Sequence, residues 1–304
     1  MDTARVRRAV VLMDTLVEVL LEAQDEGEAQ DAVDRALSWF VEVERVCSRF
    51  DPESELARAC AVVGRWTPVS TLLAETVGFA LQMAEASGGA FDPTIGYDQV
   101  DLGFTREYRT GARYAPAPPP ARLRGDWRDV KVDPAAPALK MERPALLDLG
   151  GVAKGLALDL AARELDSAGR FAIDAGGDVR FGSGPGSKAW RIGVAHPLQP
   201  QAIIAAFDLS DAAVCSSGTY ERTNPDGRHH LLDARTKMPP PALAGMTVIA
   251  PTAMLADAAS TAAAALGPYE GISWLRRQAL DGFAITTEME VIATSDWVFD
   301  AVSA

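Results

Sequence analysis

Apolar and polar positions alternate unevenly from Val10 to Leu20, in a stretch rich in Val and Leu. Such a pattern predicts a strand with one buried face, interrupted near its middle by Thr15. From Ala32 the apolar residues Val33, Leu37, Phe40, Val43 and Cys47 recur every three or four positions. That spacing places them on one face of a helix, expected to end near Phe50, where Asp51-Pro52 breaks the pattern. A second helix is expected from Thr71 to Ala86, stopping at Ser87-Gly88-Gly89.

Prolines then change the picture. Between Phe104 and Arg143 the chain carries Ala115-Pro116-Ala117-Pro118-Pro119-Pro120 and Pro134 and Pro137, with Pro144 just beyond. The region 104–146 is therefore expected to be loop or short edge strand, an excursion within one domain covering 1–304. Leu146 to Leu149 reads as a strand and Gly150 to Ala168 as a helix. Phe171 to Phe181, Trp190 to Ala195, Ile203 to Leu209 and Ala212 to Ser216 read as successive strands. In the last third, Met246 to Ala250, Phe283 to Thr287 and Val291 to Thr294 are expected strands, and Leu255 to Leu266 and Tyr269 to Leu280 expected helices. No period of 20 to 50 residues stands out, which argues against solenoids and propellers. The expected class is α+β (mixed α/β), with mixed sheets and packed helices.

Composition narrows the function classes. With 48% hydrophobic and 23% charged residues, the 304-residue chain has ample material for a large core. No apolar run approaches the roughly 18 residues of a membrane helix, so no membrane insertion is expected. The arginines at 5, 7 and 8 are followed by a stretch interrupted by Asp14 and Glu18, a poor signal peptide, and the expected location is cytoplasmic. Cys47, Cys60 and Cys215 are odd in number and widely spaced, suggesting neither a disulfide framework nor a thiolate zinc site. A formal net charge of −13 argues against nucleic acid as a partner. An anionic nucleotide would need a local cation or backbone N–H donors.

Five segments carry candidate chemistry. Leu147 to Gly155 runs through Gly150-Gly151 towards a helix bearing Lys154, an arrangement that suits phosphate but also a steric turn. Asp174-Ala175-Gly176-Gly177-Asp178 fits a tight turn or close passage of a ligand, the turn being the simpler reading. In Ala90-Phe91-Asp92-Pro93-Thr94-Ile95-Gly96 the Asp and Thr can serve merely as turn hydrogen-bonders. Ser216 to Tyr220 is followed by His229-His230, and only three histidines exist in the chain, at 196, 229 and 230. On a helix Asp257 and Thr261 share a face and offer a carboxylate and a hydroxyl to one cation. The plain alternative is a helix-start Asp and a back-bonded Thr.

In order and spacing the segments resemble the FAD:protein FMN transferase family, also called ApbE. The resemblance runs from Met13-Asp14-Thr15 through Phe50 to Leu56, the Ala90 to Gly96 segment, Asp148 to Asp159, Asp174 to Asp178, Ser217 to Arg222 and His230 to Thr236, ending at Asp257 to Thr261. It implies an ApbE-like (T-fold-like) architecture. It also implies flavin and nucleotide contacts at Met13, Phe50, Ala90, Phe91, Asp92, Asp148 and Lys154. Mg²⁺ would be held by the carbonyl of Gly151, the carboxylate of Asp257 and the hydroxyl of Thr261, and His230 would be the base that activates the acceptor hydroxyl. The chain departs from the family at Asp14, which replaces the Gly of Met-Gly-Thr. It departs again at Ala234 and Lys237, which replace Pro and Gly of His-x-x-Asp-Pro-Arg-Thr-Gly.

The activity so implied is attack of a Thr or Ser oxygen of an acceptor protein on the FMN-side phosphorus of FAD, with AMP leaving. Two other readings use the same groups: an FAD pyrophosphatase, in which water replaces the protein hydroxyl, and a non-catalytic FAD-binding protein. No Asp-Gly-x-Ser/Thr-Gly-Ala-Thr/Ser stretch occurs in the chain, so self-modification is not expected.

Overall fold

The computed structural model describes residues 4–106, 116–184, 188–197, 199–218 and 231–298. The chain begins with a hairpin, β1 (Ala4–Leu12) and β2 (Thr15–Ala23), in place of the single interrupted strand. Its two-residue turn is Met13-Asp14, with φ of 50° and 61°. A turn with both central residues left-handed matches the twist of the flanking strands. The hairpin is part of the fold, since Val17, Val19 and Leu21 are fully buried.

Asp25 accepts the Glu28 N–H at 2.8 Å and caps α1 (Glu26–Cys47), which therefore starts earlier than its apolar stripe and ends three residues before Phe50. Val33, Phe40 and Val43 are fully buried along that stripe, each such side chain contributing roughly 1.5–3 kcal/mol. Two short elements follow, α2 (Glu55–Cys60) and β3 (Thr67–Pro68), before α3 (Thr71–Ala86), which has the expected bounds and is capped by Ser70. The Pro-rich excursion, preceded by helix α4 (Gly96–Asp101), holds two single turns of 3₁₀ helix, Ala121–Leu123 and Trp127–Asp129. Its edge strands β4 (Val130–Asp133) and β5 (Ala138–Met141) form a small sheet with β3.

One expectation fails in this region. Residues 146–149 form no strand, because they lie along the 93–96 loop without a continuous ladder. Gly96 N–H donates to the Leu146 carbonyl at 3.0 Å and Asp148 N–H to that of Pro93 at 2.7 Å. A side chain at Gly96 would collide with the Leu146 backbone.

After α5 (Ala153–Leu165), the expected Phe171–Phe181 strand is two strands, β6 (Gly169–Ala175) and β7 (Asp178–Gly182), turned at Gly176-Gly177. A hairpin of β8 (Trp190–His196) and β9 (Gln199–Leu209) follows, then β10 (Ala212–Gly218), β11 (Leu243–Ala250), α6 (Ala253–Leu266), α7 (Pro268–Arg277), β12 (Asp281–Thr286) and β13 (Val291–Ala293).

Eight strands make one sheet in the order β1-β2-β6-β7-β10-β11-β12-β13, and every pairing in it is antiparallel. The two-class expectation thus resolves to α+β. Helices cover one face of the sheet and enclose the main core. The β8–β9 hairpin covers part of the other face, packing Phe207 of β9 in a second cluster with Phe181, Val214 and Phe283. Helix α6 buries Ala256, Ala258, Ala259, Ala262, Ala263 and Ala264, small side chains that let it lie close to the strands and to α5. Among the described residues no helix is long and apolar enough to cross a membrane.

Candidate active site

Helices α5 and α6 each supply a carboxylate to the backbone at the start of the other. Asp159 of α5 accepts the N–H groups of Ala253 and Met254 at 2.8 and 2.9 Å, satisfying the start of α6. Asp257 of α6 accepts the Gly155 N–H at 3.1 Å, within the first turn of α5. Gly155 permits this approach, because a Cβ there would run into the Ala253 backbone. Asp257 is therefore not an Asp complementing its own helix start; it serves the neighbouring helix.

Lys154 stands in the same turn of α5. Its Nζ lies 2.5 Å from Asp178 Oδ2 and 3.4 Å from Asp257 Oδ1. The Asp178 carboxylate is fixed from the sheet side by the Ser216 N–H at 3.1 Å. Burial opposes charge on Lys154, but the carboxylates of Asp178 and Asp257 prevail and raise its pKa, so it is an ammonium. Burial likewise raises the Asp257 carboxyl, with Lys154 opposing and Asp178 reinforcing that shift. Two buried carboxylates against one ammonium leave this corner electronegative, ready for more cationic charge.

The expected metal donors converge beside it. Gly151 faces Thr261 so closely that a Cβ on it would lie 3.0 Å from Thr261 Oγ1 and 3.2 Å from the Phe91 ring. Thr261 sits one helical turn beyond Asp257 on α6, and its hydroxyl lies 3.5 Å from Ser217 Oγ. Among the described residues no three His, Cys, Asp or Glu side chains converge as a metal cluster. A single carboxylate, a hydroxyl and a carbonyl are nevertheless hard oxygen donors, and a site with so few protein ligands suits Mg²⁺, which keeps waters and takes substrate phosphates. These residues fit the group.

Lys154 also lines a cleft, together with Met13, Asp14, Phe50, Asp148 and Gly150. Four of the seven expected flavin contacts thus share one cavity. Arg49 forms its wall: the guanidinium lies 4.0 Å over the Phe50 ring, and Nε is 2.6 Å from Asp148 Oδ2 as an ion pair without straight hydrogen-bond geometry. Asp148 also accepts the Gly150 N–H at 2.8 Å, which holds the glycine pair in place.

Ala90, Phe91 and Asp92 are not in the cleft lining, although Phe91 packs on Gly151. Asp92 accepts from the Thr94 N–H and hydroxyl at 2.8 and 2.7 Å and from the Trp127 N–H at 3.4 Å. Burial raises its pKa while those hydrogen bonds oppose. Its carboxylate does the work of a turn hydrogen-bonder, as the simpler reading anticipates. His230 lies outside the described residues; in the described parts of the same motifs, Ser217 reaches Thr261, and the Ala234 N–H donates to the Ala90 carbonyl at 3.1 Å.

All three departures from the family pattern acquire a local meaning. Asp14 and Lys237 stand where the family has Gly, and both are left-handed, with φ of 61° and 58°. Lys237 Nζ pairs with Asp98 at 2.8 Å. Ala234 stands where the family has Pro, and its bond to Ala90 is one that proline cannot make.

Arg49, Asp159 and Asp178 were not singled out from the sequence. Arg49 carries no motif of its own and is recognisable only once Asp148 is its neighbour. Asp178 lay in a quoted segment, but its turn-like context concealed a side chain directed at Lys154.

An antiparallel sheet backed by helices thus carries hard oxygen donors and a lysine at a helix start, side-chain types that suit a cation and a phosphorylated ligand. The ApbE family model matches residues 13–284, and the chain belongs to that family. It is 31% identical to an FAD:protein FMN transferase of Rhodobacter capsulatus, across 93% of this chain, and spans 55% of the length of that relative. It is 30% identical to the FAD:protein FMN transferase of Treponema pallidum, covering 90% of this chain and 83% of that one. The crystal structure of the ApbE protein from Thermotoga maritima superposes with a TM-score of 0.87 at 25% identity, covering 98% of this chain and 99% of that one.

Proposed function

We propose that this protein is a Mg²⁺-dependent FAD:protein FMN transferase, moving the FMN half of FAD onto a Thr or Ser hydroxyl of an acceptor protein and releasing AMP. The observation that carries the reading is the corner itself: Gly151 against Thr261 and Lys154 against Asp257, with Lys154 also lining the cleft that holds Met13 and Phe50.

Bound there, Mg²⁺ would neutralise charge on the pyrophosphate as the phosphorus–oxygen bond to AMP breaks. The chain's own groups do the rest. Asp257, Thr261 and the Gly151 carbonyl would hold the ion. Lys154 would offer its ammonium to phosphate oxygens, and the Arg49–Asp148 pair with Phe50 and Met13 would receive the rings. Phe91, packed on Gly151, would exclude water from the reacting side. His230 would take the proton of the acceptor hydroxyl as its oxygen attacks phosphorus. We also place the protein in the cytoplasm, a setting that suits three free, buried thiols.

Incubation with FAD, Mg²⁺ and a candidate acceptor tests this reading. AMP release with an FMN-sized mass gain on the acceptor is expected. Free FMN with AMP and an unmodified acceptor would instead identify a pyrophosphatase, and intact FAD a binding protein.

A further inference from the structure

Asp178 has no part in the ligand set above, yet it makes the shortest contact in the corner. Its side chain is 5% exposed and lies at the start of β7, immediately after the Gly176-Gly177 turn. One oxygen is held by the Ser216 N–H of β10 at 3.1 Å, and the other takes the Lys154 ammonium at 2.5 Å. Lys154 Nζ stands nearly an ångström farther from Asp257, at 3.4 and 3.5 Å from its two oxygens. The ammonium therefore has two carboxylates in reach and is drawn to the one outside the proposed metal set.

We propose that Asp178 is a positioning residue that holds Lys154 off Asp257, keeping that carboxylate available to a divalent cation. Two cations cannot share one carboxylate at short range without mutual repulsion, and an ammonium closed onto Asp257 would compete directly with the metal. Asp178 takes up the lysine's charge, and the backbone bond from Ser216 prevents it from following the ammonium across. The position of Lys154 between the two acids then leaves it free to turn towards a phosphate without abandoning a partner. Because Asp178 is fixed by the sheet and Lys154 by α5, the separation is built by the packing of β7 against that helix.

This inference rests on the assignment of Asp257 as a metal ligand, and calorimetric titration with Mg²⁺ alone separates the two. The parent should bind Mg²⁺ and Asp257→Ala should not; if the parent shows no binding, or Asp257→Ala binds as well as the parent, the metal assignment itself fails. With the assignment standing, Asp178→Asn should weaken Mg²⁺ by about 10–100-fold, the range for residues that orient a metal ligand from behind. Lys154→Met removes the competitor, so adding Asp178→Asn in that background should change Mg²⁺ affinity by less than about twofold. The double variant also removes one charge of each sign and guards against a misfolded single variant. Unchanged Mg²⁺ affinity in Asp178→Asn would overturn the proposal. So would an equal loss in both backgrounds, which would show Asp178 acting by its own charge and not through Lys154.

Discussion

Two glycine pairs look alike in the sequence and differ completely in the molecule. At Gly176-Gly177 both residues are left-handed, with φ of 68° and 94°, and a Cβ on Gly176 would strike Thr15 Oγ1. This pair exists to turn one strand into the next. Gly150-Gly151 needs no left-handed backbone; neither residue is among the positive-φ positions. Its constraint is crowding, with Thr261 and Phe91 pressed against Gly151 and the Asp148 carboxylate against Gly150. A glycine pair signals a turn when the backbone demands it and a site when the neighbours are functional side chains from distant segments. Only the fold distinguishes these cases.

The largest effect should come from the crowded pair's surroundings. Asp257→Ala is expected to abolish Mg²⁺-dependent turnover of FAD, measured as AMP release. Its cost in stability should stay near the 1–3 kcal/mol of an unpaired buried N–H, here that of Gly155. Full activity, or outright unfolding, would place the metal elsewhere. Next is His230→Ala, expected to slow transfer by about 10²–10⁴-fold with FAD affinity retained, against little change for His229→Ala. Transfer at the parental rate would leave the metal and positioning as the sources of catalysis.

The glycine comparison itself is sharpened by two alanine variants. Gly176→Ala should cost about 1–3 kcal/mol in urea unfolding, with the turnover of the folded protein unchanged. Gly151→Ala should leave unfolding within about 1 kcal/mol of the parent yet raise the Mg²⁺ concentration needed for half-maximal rate, since Thr261 must give way. A reversed pattern would mean the two pairs have been assigned the wrong roles. A smaller effect is expected at the other left-handed turn, where Asp14→Gly should gain up to about 1 kcal/mol by relieving the backbone. The smallest concerns the thiols. Burial raises Cys47 to about 12 and Cys60 to about 11. A raised thiol pKa means a scarce thiolate, so at pH 8 alkylation of the native protein should be negligible over minutes and complete only after unfolding. Rapid labelling of native Cys47 would contradict its burial.

Much of the fold was legible because local pattern and tertiary environment agree. The α3 helix has both a Ser cap and a glycine stop in the sequence, and its bounds were read correctly. Residues 146–149 misled because a short apolar run buried on all sides has no period that separates strand from packed loop. The Met13-Asp14 turn was missed for a different reason: Asp tolerates a left-handed backbone but Met does not advertise one, so the pair lacks the Asn-Gly or Asp-Gly signature of a two-residue hairpin turn. At the site, Lys154 and the Asp257/Thr261 pair are candidates by residue type and spacing and Gly151 by the family resemblance, and the fold places Gly151 against Thr261 and Lys154 near Asp257. Asp178 and Arg49 were not readable, since each matters only through a partner far away in the chain, Asp178 by 24 residues from Lys154 and Arg49 opposite Asp148.

On the proposed function, this corner receives the diphosphate of a flavin dinucleotide together with a divalent cation. Calorimetry comparing FAD and FMN, each with and without Mg²⁺, tests it directly. FAD should bind more tightly than FMN, by at least about tenfold or 1.4 kcal/mol, and the difference should shrink when Mg²⁺ is withdrawn. Equal affinity for the two flavins, unaffected by Mg²⁺, would contradict the assignment of the corner and with it the proposed reaction.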